Sequence, residues 1–150
     1  MSIAKRVLSA AAALAVAGSM MTAAPASAAG QRCDGSQVRT CVSVALPGND
    51  VRARAIIRDV KGDGLDFKVR VTDVQLQRRS GGKWVTLQTD RDYDGWHRSV
   101  DKSRTYLLHG CHGNGYVLVR ARAHFDWKRV GQAGEWMNSK AVRVYCHVHI

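Results

Sequence analysis

Residues 29–150 read as an all-β protein, an antiparallel β-sandwich of seven or eight short strands. Three observations predict this. Apolar residues recur at every second position. Glycine-bearing turns separate the runs at spacings of about 8–15 residues, and no stretch after residue 30 keeps a helical period. Alternation between an apolar and a charged side is the mark of antiparallel strands with one wet face.

The first stretch belongs to no strand. Lys5 and Arg6 precede an Ala/Val/Leu run from Val7 to Ala17, and Ala26-Ser27-Ala28 is a small-x-small cleavage site. Residues 1–28 are therefore expected to be a secretory signal peptide, with 29–150 as a single domain. The run is too short and too interrupted by Gly18, Ser19, Thr22 and Pro25 for a membrane helix, so no membrane span is expected. The expected location is extracellular.

The strands follow in order. Val38, Thr40, Val42 and Val44 alternate with Arg39, Cys41 and Ser43. Val51, Ala53, Ala55 and Ile57 alternate with Arg52, Arg54 and Arg58. Between Phe67 and Leu76 the apolar parity slips between Val71 and Val74, which predicts a β-bulge near Thr72-Asp73 or two strands in place of one. Val117, Val119, Ala121, Ala123 and Phe125 alternate with Leu118, Arg120, Arg122 and His124, and Val142, Val144, Cys146 and Val148 close the series. Turns are expected at Pro47–Asp50, Gly62–Gly64, Ser80–Lys83 and Gly113–Gly115, where residues tolerant of positive φ gather.

The four cysteines, Cys33, Cys41, Cys111 and Cys146, suit an oxidising compartment and allow three pairings. Cys33–Cys41 with Cys111–Cys146 is the favoured one. Loop-closure entropy assigns roughly 2.6 kcal/mol to the short bridge and roughly 3.8 kcal/mol to the long one.

The segment Val74-Gln75-Leu76-Gln77-Arg78-Arg79-Ser80-Gly81-Gly82-Lys83-Trp84-Val85-Thr86-Leu87 resembles the central hairpin of bacterial immunoglobulin-like or fibronectin type III-like domains, such as small secreted actinobacterial proteins carry. Gly115 to Val144 is similar to the last two strands of that fold. The resemblance implies that those strands are antiparallel neighbours, which would bring Cys111 and Cys146 to one end of the sandwich. It implies a fold and not a function.

Four groups of residues are candidates for chemistry. Asp90, Asp92, Asp94 and Asp101, with Gly95, have the spacing of a Ca²⁺ loop, although Asp stands at its last position and no helices flank it; a plain turn is the preferred reading. His109, His112, His147 and His149 would cluster near the Cys111–Cys146 bridge, where Zn²⁺ or Cu²⁺ would suit them, against an ordinary polar surface. No cofactor is expected beyond those two metal options.

Arg120, Arg122 and Arg143 should share one wet sheet face, with Lys68 and Arg70 joining if the register allows. The formal charge of +11, from 23 Lys+Arg against 12 Asp+Glu, favours polyanions. Lastly, a long loop from Asp126 to Ser139 carries Trp127, Lys128, Arg129 and Trp136, residues that could stack on sugar or engage a protein, or simply hold the loop's feet together. Trp84 and Trp96 are assigned to packing.

Catalysis is not expected. Glu135 is the only glutamate, and no nucleophile elbow, metalloprotease helix or phosphate-cradling loop occurs. The expected function is a secreted, non-catalytic binding module, monomeric, acting through the basic sheet face and the Trp-containing loop. A polyanionic cell-wall polymer or an extracellular protein is the favoured partner, and nucleic acid a further option. The alternatives are a metal-binding protein and a small secreted inhibitor or toxin.

Overall fold

Period-two alternation builds two stacked antiparallel sheets. The structure, a computed structural model, describes residues 28–146. The expected leader 1–28, apart from Ala28 at the start of β1, and the candidate ligands His147 and His149 lie outside the described residues. Among the described residues there are ten strands: β1 (Ala28–Asp34), β2 (Val38–Ala45), β3 (Asp50–Asp59), β4 (Lys68–Ser80), β5 (Lys83–Arg91), β6 (Val100–Arg104), β7 (Leu108–His109), β8 (Tyr116–Lys128), β9 (Gln132–Asn138) and β10 (Val142–Tyr145).

Sheet one runs β1-β2-β3-β6, with β7 pairing the start of β3. Sheet two runs β10-β8-β4-β5, with β9 also pairing β8. Among the described residues there is no helix long and apolar enough to cross a membrane.

The architecture is the expected sandwich, with two corrections. Ten strands replace seven or eight, because β6, β7 and β9 are short or edge pieces whose alternation is too brief to read. The segment 126–139 is not a loop. β8 continues through Trp127 to Lys128, turns at Arg129–Gly131 and returns as β9, so that Trp127 pairs with Ala133 and His124 with Trp136.

Inward residues of the two sheets meet in one core. Val42, Val44, Ala53, Ala55 and Ile57 come from sheet one; Val69, Val71, Val74, Leu76, Val119, Ala121, Ala123 and Phe125 come from sheet two. Burying each of the larger side chains contributes about 1.5–3 kcal/mol. The alanines on β3 and β8 keep the layers close around Phe125, the one fully buried aromatic ring among the described residues.

The parity slip in β4 is a single-strand bulge. Val71 pairs with Phe125 and Asp73 with His124, so Thr72 is the extra residue. Val69 and Val71 face the core before it, and Val74 and Leu76 after it.

Polar contacts at their margins tie the sheets together. The buried Asp101 on β6 accepts the Val71 amide of β4 at 2.7 Å. Thr40 on β2 donates to Glu135 on β9 at 3.0 Å. The Lys140 amide donates to the Gly30 carbonyl at 2.9 Å, where Gly30 has φ 61° and a Cβ would lie 2.6 Å from the Lys140 oxygen, so only glycine fits the crossing.

Both disulfides form as favoured, Cys33–Cys41 between β1 and β2, and Cys111–Cys146 just outside β8 and β10. They fit an oxidising environment. Urea unfolding of the Cys111→Ser/Cys146→Ser variant should show a loss of stability about 1 kcal/mol larger than that of Cys33→Ser/Cys41→Ser, because its closed loop is longer. Equal losses, or the reverse order, would contradict the loop-entropy account.

Candidate functional site

The outer face of sheet two carries cations laid on aromatic rings. Outward positions of β8 pair with outward positions of β4, so Arg120 stands opposite Gln77 and Arg122 opposite Gln75. The Arg120 guanidinium lies 4.5 Å from the Trp84 ring centroid and donates to Gln77 at 2.8 Å. Arg122 lies over Trp136 at 4.4 Å, and Arg143 over Tyr116 at 4.8 Å. Each ring covers one side of a guanidinium and leaves its N–H donors able to reach an oxyanion.

Burial, with the neighbouring Arg122 charge, lowers the Arg120 pKa from its usual value. Two adjacent arginines here share no carboxylate, which favours an incoming anion.

Further along the same face, Arg70 makes two 2.9 Å contacts with Asp126 through Nε and Nη2 and stacks at 4.3 Å on Trp96. Lys128 lies over the same ring at 4.2 Å. Asp126 fits here because its partner on β9 is Gly134, where a Cβ would collide with the Asp126 carboxylate.

The bulge and the end of β5 shape a groove of about 630 Å³ on this face. Its floor is Arg70, Thr72, Asp73 and Gln75; its walls are Trp136 on one side and Arg91 to Gly95 on the other. Thr72 and His124 Nδ1 are 2.7 Å apart, and Asp73 lies 3.8 Å from Arg91. Tyr93 is 83% exposed and Trp136 43%, so two rings stand at the rim ready to cover a ligand.

The predicted basic trio and Lys68 and Arg70 therefore share one face, as the register requires. Of the Trp segment, Trp136 and Lys128 join that face. Trp127 packs against the core and Arg129 sits exposed at the hairpin turn, so the two tryptophans lie on opposite sides of the ribbon. Trp84 and Trp96, assigned to packing, serve as seats for cations. Sequence reading missed Tyr93, Asp73, Gln75 and Arg91. Only the parity slip hinted that the chain was being re-aimed there.

The aspartate series does not converge as one loop. Asp90 accepts Ser103 at 3.0 Å, and Asp92 accepts the Asp94 amide at 3.1 Å. Among the described residues, Asp94, His97 and Asp101 are the group whose potential ligand atoms lie within 4.8 Å of one another. Their geometry is that of an internal pair and a cap: His97 Nε2 is 3.0 Å from Asp94 and 3.7 Å from Asp101, while Asp101 accepts the Val71 and Lys102 amides. Burial is the main cause raising the Asp92 pKa, whereas the His97 contact lowers that of Asp94. His109 is bonded to Asp50 at 2.7 Å, and His112 is exposed near Cys111.

No protein-family model matches the chain, and no curated protein or solved structure matches it either. The site's chemistry must carry the functional reading.

The Asp94 contact is the largest cause raising the His97 pKa above 6.5. The fold thus favours protonated His97, and the stabilisation is complete below pH 6.5 and lost as pH rises through the folded value. For Asp94, lowered from 3.8, the contribution exists above 3.8 and is lost as pH falls through the folded value. An NMR titration should place the His97 midpoint above 6.5, and Asp94→Asn should bring it down. A midpoint unchanged by that substitution would refute the pair.

Proposed function

We propose that the protein is a secreted, non-catalytic binding module that holds an acidic glycan of the cell surface in the groove of sheet two. The observation that carries this reading is the combination of exposed rings, Trp136 and Tyr93, with Arg70 and Arg91 over a floor of Asp73 and Gln75. Rings cover the apolar faces of sugars, planar amide and carboxylate groups bond their hydroxyls, and the arginine N–H donors not engaged by Asp126 and Asp73 take an acidic substituent. The carboxylates Asp73 and Asp126 lie beside arginines, an arrangement suited to hydrogen bonding rather than to an acid–base pair. The leader-like residues 1–28 and the two disulfides support export. Descent from immunoglobulin-like or fibronectin type III-like domains is the accompanying reading of the β4–β5 hairpin.

Calorimetry with polygalacturonate oligomers, and with uncharged dextran as the comparison, tests it. The acidic oligomers should bind more tightly, and Trp136→Ala should weaken them about tenfold or more, on the scale of a lost aromatic anchor. Because Trp136 is exposed, the variant should keep its melting temperature. Unchanged affinity in a folded Trp136→Ala variant, or no heat with either polymer, would remove the groove from consideration.

A further inference from the structure

The opposite side of the molecule carries a second and denser set of cations. Arg39 projects from β2, Arg52, Arg54 and Arg58 from β3, and Lys102 and Arg104 from β6, all on the side of sheet one that faces away from the core. The register sets Arg39 directly against Arg58, and Arg54 against Arg104. Like charges directly opposite each other weaken a sheet, so folding alone disfavours this arrangement.

Five cations of sheet two, Arg70, Arg120, Arg122, Lys128 and Arg143, rest on rings, and Arg70 on Asp126 as well. These six have no such support: among the described residues, none of them has a carboxylate within ion-pairing distance. Asp50, at the start of β3, is bonded to His109. The Arg52 Nε is shielded from solvent and has no hydrogen-bond partner. Between β3 and β6, Arg54, Lys102 and Arg104 line a depression of about 320 Å³.

We infer that this face is a docking surface for a linear phosphodiester polymer of the polyol-phosphate type, separate from the groove on sheet two. Alternate residues on a strand stand roughly 7 Å apart and neighbouring strands about 5 Å, so the cations form a flat grid that follows an extended chain of regularly spaced anions. Five of the six are arginines, whose forked donors match phosphate oxygens.

The side chains between them decide against other partners. Within the strands that carry these cations the outward apolar residues include Ile56 and Val100 and no aromatic one, and the exposed Tyr106 just past the end of β6 is a single ring where a run of stacked nucleobases needs several. A flat sheet face offers nothing to enter a duplex groove, and one ring at its margin is fewer than the aromatic anchors a protein interface gathers at its centre.

The test is binding of purified poly(glycerol phosphate) to the disulfide-intact protein across a salt series. With six phosphates engaged, affinity should fall roughly 300-fold between 50 and 200 mM salt. Arg54→Gln/Arg104→Gln should weaken binding at least tenfold at 50 mM and flatten the salt slope. Arg39→Gln/Arg58→Gln is the second variant should the first fail to fold, although both relieve a like-charge pair. Arg120→Gln/Arg122→Gln and Trp136→Ala, on the other face, should leave this affinity unchanged while Trp136→Ala still weakens acidic glycan.

Three results would overturn the inference: no loss in either folded sheet-one variant, loss only in the sheet-two variants, or equal or tighter binding of single-stranded oligo(dT), which would name nucleic acid as the occupant.

Discussion

The Asp101 carboxylate ties the two sheets together at the strand bulge on which the groove depends. β5 leaves β4 at Arg91, and the uncovered edge of β4 needs other partners for its backbone. The Val69 amide and carbonyl bond His97, the Thr72 carbonyl accepts the Asp92 amide, and the Val71 amide goes to Asp101 on the other sheet. An unsatisfied buried amide there would cost about 1–3 kcal/mol. Asp101 thus closes the edge of one sheet with a side chain of the other, at the point where the strand bulges.

The bulge is what makes the groove. Without the extra residue, Val74 and Leu76 would turn outward if Val69 and Val71 faced the core. With it, the strand keeps four core residues and presents Arg70, Thr72, Asp73 and Gln75 along one short stretch of surface. The crossing loop that Asp101 and His97 anchor also positions Asp92, Tyr93 and Gly95 as the groove's wall. A structural tie and a ligand-facing wall are therefore parts of one construction. The two outer faces differ because sheet two seats Arg70, Arg120, Arg122 and Arg143 on rings, whereas sheet one leaves its cations bare.

Much of the layering was legible in the residues themselves. The Val51-Ala53-Ala55-Ile57 alternation marks β3, the slip between Val71 and Val74 marks the bulge, and the cysteines pair as favoured. Strand order was not legible, and the site depends on it. That Arg120 rests on Trp84 requires β8 and β5 to flank β4. That Arg54 meets Arg104 requires β6 to lie beside β3, although the alternation of Arg52, Arg54 and Arg58 was plain in the sequence. The Asp90–Asp101 spacing resembled an ion loop because spacing records local chain distance, while the Asp101 carboxylate is committed to an amide thirty residues upstream. The hairpin 126–139 was missed as a hairpin because Gly134 interrupts its short second strand, though the parity linking Phe125 to Trp127 already placed that ring inward.

Native-state hydrogen exchange at Val71 tests this construction most directly. The account predicts that the Val71 amide is protected as well as those of Val74 and Leu76, and that Asp101→Ala lowers its protection at least about tenfold beyond any change at those two. A Val71 amide that exchanges as though unbonded in the unaltered protein, or one whose protection survives the loss of Asp101, would contradict it.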